Sequence, residues 1–419
     1  MAVSPLLAVI DARLVSGHHG GVEQVIIGLA HGLSSLDGDD EFVFHCFDGQ
    51  SAYLEPYVHG PCRMVVTPRP FRQRAAHRLP ALAAVGRRVR RGLVSETDSA
   101  PVPPSDGTAE RLGAEVVHFP RQDGYLTQIP SIFHPHDLQH VHLPDFFTAA
   151  ERRHRDLWYR TLAKQASLVS VTSEWGKRDL VANLGLPPGK IAVIPLAPAL
   201  AAYGSPLVDT ERERLLGSLG IVRPFALYPA QTWPHKNHLR LVGALRKLHD
   251  RGVIVDLMCT GAPNEHTAAV ETAVGSAGLR EHLRLLGYVS EDQLKALYAS
   301  ARCLIMPTLF EAAGGFGPVA EAFLAGVPVA CSNVASLPEQ VGDAALLFDP
   351  LDEDAIAGAL ERLWTDAGLR DELVRRGRQN IRHFSWDRVA RTFRAHYRKL
   401  AGRPLDPDDV ALLDARVDF

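Results

Sequence analysis

Cysteine is scarce in this chain. Cys46, Cys62, Cys259, Cys303 and Cys331 are scattered, form no C-x-x-C pair, and three of them fall in apolar runs that read as buried strands or strand ends. This excludes a disulfide scaffold and points to a reduced compartment, the cytoplasm. Long hydrophobic runs are missing too: no stretch approaches the roughly 20 apolar residues of a membrane helix. Met1 to Val9 lacks a basic leader region, and Asp11 interrupts the opening apolar run, so no signal peptide is expected. Nor does charge of one sign dominate. With 45 basic and 48 acidic residues the net charge is -3, which argues against a general polyanion-binding surface and leaves nucleic acid out of the expected partners.

What is present is an ordinary globular composition, 46% hydrophobic and 22% charged over 419 residues, enough for two or three domains. The pattern opens as strand (Leu6 to Ile10), glycine-rich turn (Gly17 to Gly21) and a helix-periodic run from Val22 to Leu33, a βα unit of a parallel sheet. Short apolar runs follow at Phe42 to Phe47, Arg63 to Val66, Val116 to Phe119, Ser131 to Phe133, Leu168 to Thr172 and Ile191 to Ile194. The alternation restarts at Phe225 and continues through Val253 to Cys259, Leu283 to Leu286, Cys303 to Met306 and Val327 to Cys331. The fold class is therefore α/β, with two doubly wound parallel-sheet units and a boundary near 197–215. Two segments depart from this scheme. Arg69 to Arg91 holds eight arginines and no acid and reads as a basic amphipathic helical stretch, either a solvated face or a peripheral contact for anionic lipid or a phosphorylated acceptor. The Pro-rich polar segment after Ser95 reads as a loose loop, so that an insertion spans about 69–110.

The densest chemical signal is the loop between Pro307 and the helix expected near Pro318. A glycine-rich loop running into a helix N-terminus offers backbone N–H groups to a phosphate. Glu321 would then lie in the helix's first turn, where its carboxylate accepts two ribose hydroxyls, and Glu311 before the loop reaches a second sugar; alternatively both acids only complement the helix dipole. Gly315-x-Gly317-x-x-Ala320 also satisfies a dinucleotide fingerprint, which keeps a nicotinamide-dependent oxidoreductase as an alternative, although the fingerprint belongs directly after a first strand. In Trp233-Pro-His-Lys236, a lysine at a helix start suits a diphosphate leaving group, or is a plain surface lysine. The histidines around His134, His136, His140 and His142, with His118 upstream, lack metal-binding spacing and suit hydrogen bonds to sugar hydroxyls. Gly20-Gly21 allows close backbone approach, or is a tight turn without function.

Taken in order, Gly20-Gly21-Val-Glu23, His136-Asp137-Leu, Val193-Ile-Pro, His235-Lys236-Asn, Gly287-Tyr-Val, the Glu311 to Glu321 block, Ser336-Leu-Pro-Glu and Phe384-Ser-Trp386 resemble glycosyltransferase family 4 over nearly the whole chain. The resemblance implies a GT-B fold: an N-terminal acceptor-side domain of 1–200, a nucleotide-sugar domain of 205–385, a terminal helix over 386–402 that crosses back to the first domain, and a tail over 403–419. It implies a retaining, metal-independent hexosyl transfer without cofactor from a nucleotide sugar, GDP-mannose ahead of UDP- or dTDP-sugars, to a glycan, lipid-linked or small-molecule acceptor. Lys236 and the backbone of Gly314, Gly315, Phe316 and Gly317 would hold the diphosphate, Glu321 the ribose and Glu311 the transferred sugar. Gly20 and Gly21 would line the crevice, and His118, His136 and Asp137 would face the sugar or acceptor. The chain departs from the family pattern in the wider spacing of its glutamate pair, in the absence of an arginine shortly before Lys236, and in Leu196-Ala197-Pro198 where Asn-Gly is usual. A catalytically silent sugar-binding subunit is the remaining alternative.

Overall fold

The computed structural model describes residues 5–14, 21–69, 100–203, 207–312 and 316–415. The chain forms two compact units, Met1–Val171 with Lys177–Leu196 and Trp386–Val417, and Thr172–Gly176 with Ala197–Ser385.

The first unit carries strands β1 (Leu7–Asp11), β2 (Glu41–Phe47), β3 (Cys62–Thr67), β4 (Val116–Phe119), β5 (Ser131–Phe133), β6 (Leu168–Val171) and β7 (Ile191–Val193). They lie all parallel in the order β3-β2-β1-β4-β5-β6-β7, with Ile10 opposite His118 in the β1–β4 pair. Between β1 and β4 the order reverses, the position at which open α/β sheets leave a crevice beyond their carboxyl ends. Helix α1 (Gly21–Ser34) follows β1, and α2 (Ala149–Gln165) follows β5, opened by a capping box of Thr148 and Glu151.

In the second unit β8 (Phe225–Pro229), β9 (Asp256–Thr260), β10 (Leu283–Leu285), β11 (Cys303–Met306), β12 (Val329–Ser332) and β13 (Ala345–Phe348) take the order β10-β9-β8-β11-β12-β13, again all parallel. The reversal falls between β8 and β11. Strand β13 is an addition to the sequence reading. Helices α3 (His238–Asp250), α4 (Glu291–Ser300), α5 (Phe316–Ala325) and α6 (Glu353–Thr365) flank the sheet. Asp352 is the N-cap of α6, and Asp354 pairs with Lys247 and Arg251.

At Trp386 the chain re-enters the first unit as α7 (Trp386–Leu400), which packs along α1. A Cβ on Gly28 would collide with the Trp386 indole and one on Gly32 with the Trp386 carbonyl, so these glycines let the two helices approach closely. The segment after Gly402 is more than a tail. Pro407–Asp414 forms α8, and its fully buried Asp409 takes charge-assisted hydrogen bonds from Arg394 and Arg398 of α7, each at 3.1 Å. The expected loose loop is likewise pinned over its described part: Pro104 bridges to Leu126, Val102 is buried, and Asp106 accepts from the Thr108 N–H at 2.9 Å. The boundary also differs in detail, since the second unit takes the chain at Ala197 and includes Thr172–Gly176.

Candidate functional site

In the second unit, the loop leaving β8 turns through Pro234–Lys236 into Asn237, whose backbone is left-handed at φ 61°. The buried Asn237 amide donates to the carbonyls of Pro307 at 2.9 Å and Pro350 at 2.8 Å. The Leu309 N–H and Thr308 hydroxyl both reach the His235 carbonyl, at 2.7 and 3.1 Å. These bonds stitch the β8 loop to the β11 loop at the strand-order reversal. They bring Lys236 and Glu311 together: Lys236 Nζ donates to a Glu311 carboxylate oxygen, and Glu311 is almost wholly buried. Ser336 holds the Glu311 carbonyl at 3.0 Å from behind.

Beyond the loop, α5 starts at Phe316, two residues earlier than the sequence suggested. Glu321 therefore sits in the second turn of the helix and not the first. Burial pushes its carboxyl up to about 7, against the opposing pull of a hydrogen bond with the Tyr298 hydroxyl on α4. That hydroxyl also lies 3.3 Å from the Pro318 carbonyl. Phe316 contributes its backbone alone to any ligand, because its ring is buried against Phe323 and Phe384. A Cβ on Gly317 would meet none of the described atoms within 4 Å, and the same is true at Gly21 in the first unit. Gly20, Gly314 and Gly315 lie outside the described residues, as does the basic stretch after Arg69.

The histidines of the first unit divide. His118 is fully buried, with Nδ1 2.7 Å from the Tyr397 hydroxyl and its ring 4.6 Å from Phe393, both on α7. Burial takes its pKa down to about 3. His118 is thus a core group, which corrects the expectation that it faces a sugar. His136 has a left-handed backbone, φ 64°, and stacks 4.1 Å from the buried His134. Its Nε2 lies 3.0 Å from the Pro120 carbonyl. A carbonyl only accepts, so Nε2 carries the proton and Nδ1 keeps its lone pair; burial, holding the pKa at about 4, keeps the ring neutral. Asp137 accepts from the Gln139 N–H at 3.1 Å at the start of Gln139–His142. No cluster of His, Cys, Asp or Glu suited to a metal occurs among the described residues.

Sequence reasoning passed over two features. Asp11, at the end of β1, is fully buried and held by Arg13 at 2.9 Å and Arg121 at 3.5 Å. Tyr298 carried no local signal, being one more apolar position on the inner face of α4.

Residues 216–380 match the family described as glycosyl transferases group 1, and residues 19–197 match Glycosyltransferase Family 4. The O-antigen chain mannosyltransferase B of Escherichia coli is 30% identical over 282 residues, which is 63% of this chain and 71% of that protein. The chain belongs to glycosyltransferase family 4. A second relative, the MMP alpha-(1->4)-mannosyltransferase of Mycolicibacterium hassiacum, is 28% identical over 59% of each protein. Among solved structures, a glycosyltransferase from Rickettsia africae aligns with TM-score 0.67 at 15% identity, covering 95% of this chain and 99% of that one. HepE of Anabaena, solved with UDP and glucose, aligns with TM-score 0.67 at 16% identity, covering 94% and 100%.

This family 4 glycosyltransferase has the GT-B fold, and its activity is sugar transfer from a nucleotide sugar. The dinucleotide fingerprint around Gly315 falls away with that assignment. Nine residues separate Met306, the end of β11, from the start of α5, where the fingerprint requires a tight turn. No helix among the described residues is long and apolar enough to cross a membrane.

Proposed function

We propose that the protein is a cytoplasmic, retaining mannosyltransferase that moves mannose from GDP-mannose to a glycan acceptor without a metal ion. The observation that carries the donor half is the Lys236–Glu311 pair at the strand-order reversal of the second unit. Without donor, the Lys236 ammonium rests on Glu311. With donor, the diphosphate takes over Lys236 and the N-terminus of α5, and Glu311 is released to a hydroxyl of the transferred sugar. Glu321, ionised, accepts the two ribose hydroxyls. As the bond from C1 to the phosphate oxygen breaks, negative charge grows on the diphosphate, and Lys236 stabilises it where it develops. The acceptor oxygen joins C1 on the same face, and its proton passes to the leaving phosphate oxygen. Neutral His136 offers its Nδ1 lone pair to a sugar hydroxyl. Mannose is preferred because both relatives above carry that name.

A thermal-shift screen against GDP, UDP, dTDP, ADP and NAD tests this reading, since a ligand of the native state must raise its stability. GDP should stabilise most, and Lys236→Ala should lower turnover of GDP-mannose about 10²- to 10³-fold. Stabilisation by UDP or dTDP alone would change the donor. Stabilisation by NAD alone would sink the reading.

A further inference from the structure

A cavity of about 240 Å³ opens in the first unit, lined by Leu14, Arg121, Asp123, Arg155, Trp158 and Tyr159 among others. Leu14 follows β1 and Arg121 follows β4, so the cavity lies beyond the carboxyl ends of the two strands at which the order reverses, where this class of sheet binds ligands. It is smaller than the roughly 300–1,000 Å³ of sites that enclose drug-sized molecules. One monosaccharide ring is the size that suits it.

The lining has the chemistry of a sugar site. Trp158, half-buried on α2, is fixed by its indole N–H to the Ala100 carbonyl at 2.8 Å, lies with its ring 5.0 Å from that of His154, and lines the cavity beside it. Arg121 is anchored from behind by the Asp11 carboxylate and by the Arg13 carbonyl, the latter at 2.8 Å, and it pairs with the half-exposed Asp123 at 2.8 Å. The result is a rigid donor–acceptor edge whose charges largely cancel. Such an edge matches hydroxyl groups, and Asp123 works against a phosphate. Arg155 adds further donors, and its own contacts are aromatic: Tyr159 Oη at 3.3 Å and the Phe147 ring at 4.7 Å. His136 stands close by in the chain's path, since the carbonyl it binds belongs to Pro120, next to Arg121.

We propose that this cavity binds an uncharged pyranose ring of the acceptor, stacked on Trp158 and hydrogen-bonded by the Arg121–Asp123 pair. The assignment of the ring to an acceptor rests on the transferase reading above. The test is calorimetric titration of the full-length protein, with GDP present, by methyl α-D-mannopyranoside and by the corresponding glucoside and galactoside. At least one should bind. Trp158→Ala should then weaken it roughly tenfold or more, as for a buried aromatic anchor, Asp123→Asn should weaken it less, and Trp158→Phe should retain most of the affinity. Stabilisation by GDP should be unchanged in all three variants, which also shows that they fold. Binding by none of the glycosides, or equal binding by parent and Trp158→Ala, overturns the proposal. Glycoside binding that depends on Trp158 in a protein that no nucleoside diphosphate stabilises would instead sink the donor reading and leave the sugar site standing.

Discussion

Apart from the Lys236–Glu311 pair, each unit holds a desolvated carboxylate near its strand-order reversal, and the two are treated oppositely. Asp11 in the first unit receives Arg13 through two side-chain bonds of 2.9 Å and Arg121 at 3.5 Å, with the Arg13 N–H adding a contact at 3.2 Å. Burial alone would raise its pKa, yet the Arg121 and Arg13 guanidiniums hold it well below the carboxylate range. Glu321 in the second unit is less completely buried and has no cation beside it among the described residues, and only the Tyr298 hydroxyl favours its charged form. A buried charge already satisfied by the protein is a structural clamp. One left unsatisfied has hydrogen-bonding capacity for a ligand, and holding it ionised costs the empty protein stability.

Breaking the clamp should have the largest effect. Asp11→Asn leaves two arginines without their shared counter-ion, and chemical denaturation should show a loss of about 3–5 kcal/mol. Because its folded pKa is depressed, the stability contributed by Asp11 is present above the unfolded value near 3.8 and is lost only as pH falls through the lower folded value. If Asp11→Asn proves neutral, the arginines are not held by this carboxylate.

Glu321 should respond to pH in the opposite sense. Its folded pKa is raised from 4.5 to about 7, so its contribution is complete below about 4.5 and disappears as pH rises through 7. That difference amounts to something of the order of 3 kcal/mol. Glu321→Gln, which cannot ionise, should therefore unfold at higher denaturant than the parent at pH 8 and match it near pH 5, while its stabilisation by GDP is lost. In the parent, GDP affinity should fall by up to about tenfold per pH unit below 7, since the ribose needs the ionised form. A flat pH profile in the parent would remove Glu321 from the ribose.

How much of this contrast could be read in the sequence follows from how local each signal is. The period-2 and period-3.6 runs, together with the order of the motifs, made the two parallel sheets and the candidate residues Lys236 and Glu311 legible, though not their pairing, because each motif lies on one strand end or one loop. Strand β13 has only Ala345–Phe348 to announce it, and its Leu346 and Leu347 are partly exposed, so it escaped. The burial of His118 depends on Tyr397, 279 residues away, and no local pattern records such a contact. Asp11 read as the acid that interrupts an apolar run; its role emerges only when Arg121, distant in sequence, arrives from the end of β4. Glu321 was legible as a carboxylate just beyond a glycine-rich loop, but its turn of the helix depended on a boundary set within the loop, where glycine leaves several starts possible.

The smallest expected effect tests what distinguishes Glu321 from a carboxyl left wholly alone. The Tyr298 hydroxyl has one proton and two acceptors, the Pro318 carbonyl and the Glu321 carboxylate. While Glu321 is protonated, the tyrosine can keep its bond to Pro318; once Glu321 ionises, the O–H serves the carboxylate better, since bonds to charged acceptors are the stronger ones. Tyr298→Phe keeps the buried ring and removes that donor. The carboxyl should then hold its proton to higher pH, and the midpoint of the GDP-affinity profile should move up by roughly one pH unit, the worth of a single hydrogen bond to a charged group. Packing alone would lower stability without moving the midpoint. A midpoint that stays put in Tyr298→Phe would mean that the ionised form is supported by another donor, and that Glu321 resembles Asp11 more closely than the contrast between them allows.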